Sequence, residues 1–182
     1  MSIANQTSTT WQIDSSHSLA EFGVKHMMFT TVKGRFAGLS GQIVTDAENP
    51  ALGTVEVEID VASIDTRDQG RDEHLRSDDF FAAATYPSLS FRSTRVEPGQ
   101  NGNFRVFGDL TIRGVTNEVT LDATYNGRGT TPWGYDVASY TATTEINRKE
   151  YGLTWNAALE SGGLLVGDTV KILLEIEAKQ DA

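Results

Sequence analysis

Three histidines, His17, His26 and His74, are the side chains of this sequence best suited by type to chemistry near neutral pH. Three imidazoles suffice for a zinc site with an open fourth position. These three lie in separate segments, so their spacing also allows hydrogen-bonded structural histidines, or polar contacts to a ligand head group. The arginines pose the same choice. Arg67, Arg71 and Arg76 stand among Asp68, Asp72, Asp78 and Asp79, the pattern of a solvated ion-pair cluster. A guanidinium also grips planar or anionic oxygens bidentately, which makes Arg71 and Arg148 candidate head-group contacts beside His26 and His74. Catalytic spacing is missing: there is no P-loop, no HExxH and no Gly-x-Ser-x-Gly elbow. Gly38-Leu39-Ser40-Gly41 lacks the residue that would separate its serine from the second glycine. With no cysteine, thiol nucleophiles, disulfides, thiolate zinc and iron–sulfur clusters are excluded. We therefore expect no catalytic residue, no metal and no cofactor.

Composition narrows the partners. The 182 residues carry a formal net charge of −10, from 25 acidic and 15 basic side chains. Such a surface repels a phosphate backbone and an anionic membrane alike, so no nucleic-acid partner is expected. No apolar run reaches the ~18 residues of a membrane-spanning helix. Residues 1–10 read as a polar tail without a positive or apolar leader region; Asn5-Gln6-Thr7 within it is formally a glycosylation triplet. If the chain is full length this predicts a cytoplasmic protein; if a leader was removed, a periplasmic or secreted one.

The elements that must hold any site follow a period of two. Val55, Val57, Ile59 and Val61 share one face of a run whose other face is Glu56, Glu58 and Asp60. Ala20, Phe22, Val24 and His26 align in the same way, as do Leu89 and Phe91, and Phe104, Val106, Gly108, Leu110 and Ile112. Val119, Leu121, Ala123 and Tyr125 form a further face, and Val170, Ile172, Leu174, Ile176 and Ala178 another. Parity within each run fixes which residues share a face. Glu97–Gly102 and Arg113–Thr116 read as reversals, Asp46–Gly53 as a loop, and Asn126–Gly134 as a longer loop. About eight to nine strands at this spacing make an all-β barrel or sandwich, one domain over residues 11–180. Residues 67–84 break the alternation: Asp68 can cap a short helix through 75 and Ser77 a second turn. That insertion is either a crossover helix packed on the barrel or a lid whose Leu75, Phe80 and Phe81 close one mouth.

An eight-stranded barrel is either just filled by side chains or just wide enough for one ligand. Glycines inside strand-like runs (Gly23, Gly34, Gly38, Gly41, Gly108) either mark bulges and barrel corners or, the reading we favour, let the sheet bend and leave side-chain volume unfilled around an open interior. The natural guest of an apolar interior is an acyl or prenyl chain.

The order of short motifs resembles the YceI-like polyisoprenoid-binding proteins. Trp11-Gln12-Ile13-Asp14, Phe22-Gly23-Val24-Lys25-His26 and Arg71-Asp72-Glu73-His74-Leu75 carry the first half of the resemblance. Gly108-Asp109-Leu110-Thr111-Ile112, Tyr151-Gly152-Leu153-Thr154-Trp155 and Gly167-Asp168 carry the second, so that it spans 11–178. The resemblance implies an extended eight-stranded, lipocalin-like antiparallel barrel. It also implies a polyisoprenoid, isoprenoid quinone or similar lipid as ligand, and a homodimer as a candidate assembly. The combined expectation is non-catalytic binding, sequestration or transport of a long apolar lipid. Its wall is expected to be Phe22, Val24, Phe36, Val57, Ile59, Leu89, Phe91, Phe104, Val106, Leu110, Val119, Leu121, Ile172 and Leu174. An enzyme acting on a lipid or antioxidant substrate, and a solid-core interaction module, are the rival classes.

Overall fold

Valine, isoleucine and threonine at alternate positions extend the backbone, and nearly every run of them becomes a strand in the computed structural model, which describes residues 8–181. The strands are β1 (Ser8–Ile13), β2 (Leu19–His26), β3 (Thr30–Phe36), β4 (Leu39–Asp46), β5 (Thr54–Asp60) and β6 (Ile64–Asp65). After helix α1 (Gln69–Arg76) come β7 (Ser88–Pro98), β8 (Asn103–Ile112), β9 (Val115–Thr130), β10 (Asp136–Asn147) and β11 (Val166–Gln180). Residues 8–10, expected in the polar tail, are already strand; Asn5-Gln6-Thr7 lies outside the described residues.

Eight strands close on themselves in the order β1-β4-β5-β7-β8-β9-β10-β11, and β1 pairs back with β11. All pairings are antiparallel, and the architecture is the eight-stranded, lipocalin-like barrel expected. Strand β11 has two neighbours on its second edge. Its C-terminal part pairs β1 (Trp11↔Gln180 to Ile13↔Ala178), and the preceding stretch pairs β2 (Val170↔Val24 to Glu175↔Leu19). The chain changes partner at Asp14, whose carboxylate caps the 3₁₀ turn Ser15–His17. Beyond β2, strands β3 and β6 continue the sheet as a flap outside the closed ring.

Turn chemistry sets the registers. Arg113 and Gly114 both have positive φ, 50° and 73°, and join β8 to β9 through a two-residue hairpin. Register from Ile112↔Val115 to Asn103↔Thr124 is then unbroken. Asn126–Gly129, expected as loop, instead continue β9 after one extra residue, Asn126, is bulged out opposite Ser139/Tyr140. A second bulge lies at Thr94 in β7. Each bulge reverses the parity of the residues after it; Leu89 and Phe91 in β7 and Val119 to Tyr125 in β9 precede the bulges and keep the parity expected of them. The 67–84 insertion is a capped helix, with the Asp68 carboxylate accepting from Arg71 N at 2.8 Å; Ser77 ends it, its hydroxyl donating to the His74 carbonyl at 2.6 Å.

Candidate functional site

Inward faces of the barrel strands meet around a cavity of about 650 Å³. Many side chains that point inward stay only half-buried, among them Val57, Ile59, Phe104, Leu110, Val119, Ile172 and Leu174. In a solid core these positions would be sealed; here they face open space. An engineered apolar cavity of ~150 Å³ admits one benzene, so this one accepts on the order of 25 carbon atoms. All the residues expected to form the wall line it: Phe22, Val24, Phe36, Val57, Ile59, Leu89, Phe91, Phe104, Val106, Leu110, Val119, Leu121, Ile172 and Leu174. So do Leu75, Phe80 and Phe81 of the insertion.

The physical cause of the opening differs from the one expected. Glycines do not leave it empty. A Cβ on Gly34 would meet Phe22 Cζ at 2.3 Å, and one on Gly108 would meet Phe91 Cζ at 2.5 Å. These glycines are beds for aromatic rings from neighbouring strands. The space comes instead from small side chains on the inner wall, namely Ala20, Ala123, Ala138 and Ala142. Ala142 on β10 sits directly between Ala123 on β9 and Leu174 on β11.

One end of the cavity is capped by the insertion and the 148–165 segment. His74, Phe80 and Trp155 form a mutual cluster, with ring centroids 4.7 to 5.5 Å apart. His74 Nε2 lies 2.8 Å from the Asp79 carboxylate. Phe81 sits edge-on to Phe36 at 5.7 Å. Arg71 lines the cavity from an exposed position and is braced by Thr66: Nε donates to Oγ1 and Nη2 to the carbonyl, both at 2.8 Å. Thr66 is itself fixed by the buried Asp72 carboxylate, which accepts from its N–H at 2.8 Å and its hydroxyl at 2.6 Å. Lys25 and His26, exposed at the end of β2, complete the polar rim.

Arg148 corrects an expectation. Although it borders the cavity and is 3% exposed, its donors serve the protein. Nε donates to the Gly167 carbonyl at 2.8 Å, and Nη1 to the Leu153 and Trp155 carbonyls at 2.6 and 2.9 Å. Nη2 faces the Val166 carbonyl at 3.4 Å and Asp168 at 3.9 Å. Burial lowers its pKa and Asp168 opposes the shift, and a guanidinium remains cationic. Arg148 is a clamp on the 153–167 loop rather than a head-group contact.

The three histidines do not converge. His17 Nδ1 faces Asp14 at 2.9 Å and Glu177 at 3.6 Å, at the far part of β11 from His26, which pairs with Val166. Eleven residues of strand separate those points, on the order of 30 Å. Asp14, His17 and Glu177 are the one group among the described residues with metal-like spacing, and it lies on the surface.

Several cavity residues escape sequence reasoning, Trp11, Arg128, Tyr140 and Trp155 among them. Alternation places Tyr125 on an apolar face, but it reads Arg128 as loop and does not resolve β10 as a strand.

A family model described as "YceI-like domain" matches residues 11–178. The chain belongs to the YceI-like family. A UPF0312 protein of Staphylococcus aureus (strain N315) is 37% identical over 164 residues, 90% of this chain and 93% of that protein. Among solved structures, Burkholderia cenocepacia BcnA superposes with a TM-score of 0.79 at 26% identity, covering 91% of this chain and 98% of that one. A polyisoprenoid binding domain from Saccharophagus degradans, implicated in plant cell wall breakdown, gives 0.64 at 18% identity, covering 94% and 98%; that likeness is one of fold. The YceI-like barrel thus supplies a family context for a cavity already defined by its walls.

Proposed function

We propose that this YceI-like protein binds and sequesters a long apolar lipid, a polyisoprenoid or isoprenoid quinone, inside the barrel and performs no chemistry on it. The observation that carries the reading is the 650 Å³ cavity walled almost wholly by aliphatic and aromatic side chains. A tail that fills it transfers on the order of 25 carbons out of water. At ~0.8 kcal/mol per methylene, even half of them outweigh the cost of immobilising the chain. The name given to the Saccharophagus degradans domain supports an isoprenoid in particular. The polar residues at the capped end are used largely in holding the fold, and they form no nucleophile–base pair. This supports carriage over catalysis.

Mass spectrometry of an organic extract of the purified protein tests the proposal. The expected result is a prenyl lipid near one mole per mole of protein. An extract without lipid, together with failure of the stripped protein to take up a prenyl chain, refutes it.

A further inference from the structure

We propose that Tyr125 and Tyr140 form a hydrogen-bonding subsite inside the tunnel for an uncharged oxygen, a carbonyl or hydroxyl, on the bound lipid; the proposal rests on the carrier reading above. The two residues are direct cross-strand partners on β9 and β10, with ring centroids 5.4 Å apart, and both line the cavity. Among the described residues neither phenol hydroxyl has a hydrogen-bonding partner, although both rings pack on the core. Elsewhere the inner face of β10 carries alanine, threonine and isoleucine. Two phenols at one level of such a wall add polar capacity that the fold does not use.

The bulge at Asn126 gives the subsite its third member. Before the bulge, odd-numbered residues of β9 face inward, through Tyr125. After it, Arg128 pairs with inward-facing Ala138 and lines the cavity. Without the extra residue its guanidinium would point away from the tunnel. Arg128 is already matched: Asp136 lies 3.9 Å away, and Asp46 lines the same end. Of the described residues that line this end, Arg128 is the one cation and Asp46 the one anion, so a diphosphate held there would face a carboxylate as well as a guanidinium. Burial tells the same story within the wall, pushing the Tyr140 phenol up to about 12, with Tyr125 adding to the shift. A site that resists forming a phenolate resists a buried anion, yet a protonated phenol donates well to a neutral oxygen. Lys25, His26 and Arg71 belong to the opposite, capped end.

Three probes with the same twenty-carbon skeleton separate the contributions: phytane, geranylgeraniol and geranylgeranyl diphosphate, titrated into delipidated protein and into Tyr125→Phe/Tyr140→Phe. Phenylalanine keeps both rings, and circular dichroism checks the fold. Geranylgeraniol is expected to bind the native protein at least tenfold more tightly than phytane and more tightly than the diphosphate. The double variant should lose that tenfold advantage and hold phytane as before, as expected for two hydrogen bonds removed. Unchanged geranylgeraniol affinity in the variant, or a diphosphate that binds best to the native protein, overturns the subsite while leaving the carrier reading intact. If none of the three binds the native protein, the carrier reading falls and the subsite with it.

Discussion

Replacing Ala142 with phenylalanine puts the open tunnel to a test whose two readouts must move in opposite directions. Ala142 faces inward between Ala123 and Leu174, on the wall that leaves the cavity open. A benzene ring needs ~150 Å³, so the new side chain takes roughly a quarter of the 650 Å³. A lipid tail then loses about six buried carbons, or ~5 kcal/mol at 0.8 kcal/mol each. That corresponds to a fall in affinity of roughly three orders of magnitude. Stability of the lipid-free protein should rise, because the ring fills a void and its burial contributes about 1.5–3 kcal/mol. In a chain of this size each kcal/mol moves Tm by roughly 2–4 °C. A filled interior predicts the reverse sign, since overpacking costs about 1–3 kcal/mol. Thermal unfolding of stripped protein and lipid recovered per mole give both readouts. A lower Tm with undiminished lipid would refute the tunnel.

Two further outcomes concern the polar contacts. Arg148→Ala strips the donors from several loop carbonyls and should destabilise the protein by about 3–5 kcal/mol, the usual cost of breaking a buried charged network. Arg148→Lys should restore less than half of this, because an ammonium cannot match the fork geometry; a native denaturant midpoint for the alanine variant would contradict the clamp. Hydrogen bonds from Ser16 and His17 hold the Asp14 carboxyl down from 3.8 to about 2. A depressed folded pKa stabilises above the unfolded value, so this contribution is complete above about pH 4 and is lost as pH falls toward 2. After allowing for solvent screening it amounts to less than about 1 kcal/mol, and Asp14→Asn should show a correspondingly shallower acid limb in urea melts. His17 shifts the opposite way, raised mainly by the Asp14 hydrogen bond, so its share is present below pH 6.5 and fades as pH rises through its folded pKa.

The strands with strongly apolar inner faces were legible from alternation alone. β5, β8 and β11 carry mostly aliphatic or aromatic residues at every second position, and mostly charged residues or threonine between. α1 was legible because Asp68 precedes it as a cap. β10 was not, and the reason is physical: its inward residues are alanine, tyrosine and threonine with a single isoleucine, Ile146, so little apolar contrast remains. The bulges at Thr94 and Asn126 were also silent. Each depends on how two strands meet, and one sequence window shows only one of them. As a result Val96 and Arg128 face inward against the parity of the residues before them. The glycines pointed to an open interior for the wrong reason. A glycine that seats a phenylalanine ring and one that leaves a void look alike in sequence; only the position of the ring distinguishes them.

Polar side chains at the two ends of the tunnel have different work. At the capped end, arginines donate to backbone carbonyls: Arg71 to Thr66, Arg76 to Ala62 and Ile64, Arg113 to Phe80, and Arg148 to the 153–167 loop. Loss of any one leaves unpaired carbonyls, so substitutions there should be felt first in stability. Among the described residues the Tyr125 and Tyr140 hydroxyls hold no element in place, so removing them should leave stability nearly untouched and, on the proposed reading, be felt in the choice of lipid. Within the barrel wall, away from the polar rim of Lys25, His26 and Arg71, a phenol is a hydrogen-bond donor among mostly apolar neighbours. On the carrier reading, apolar burial would set how tightly a chain of given length is held, and the two phenols which chain it is.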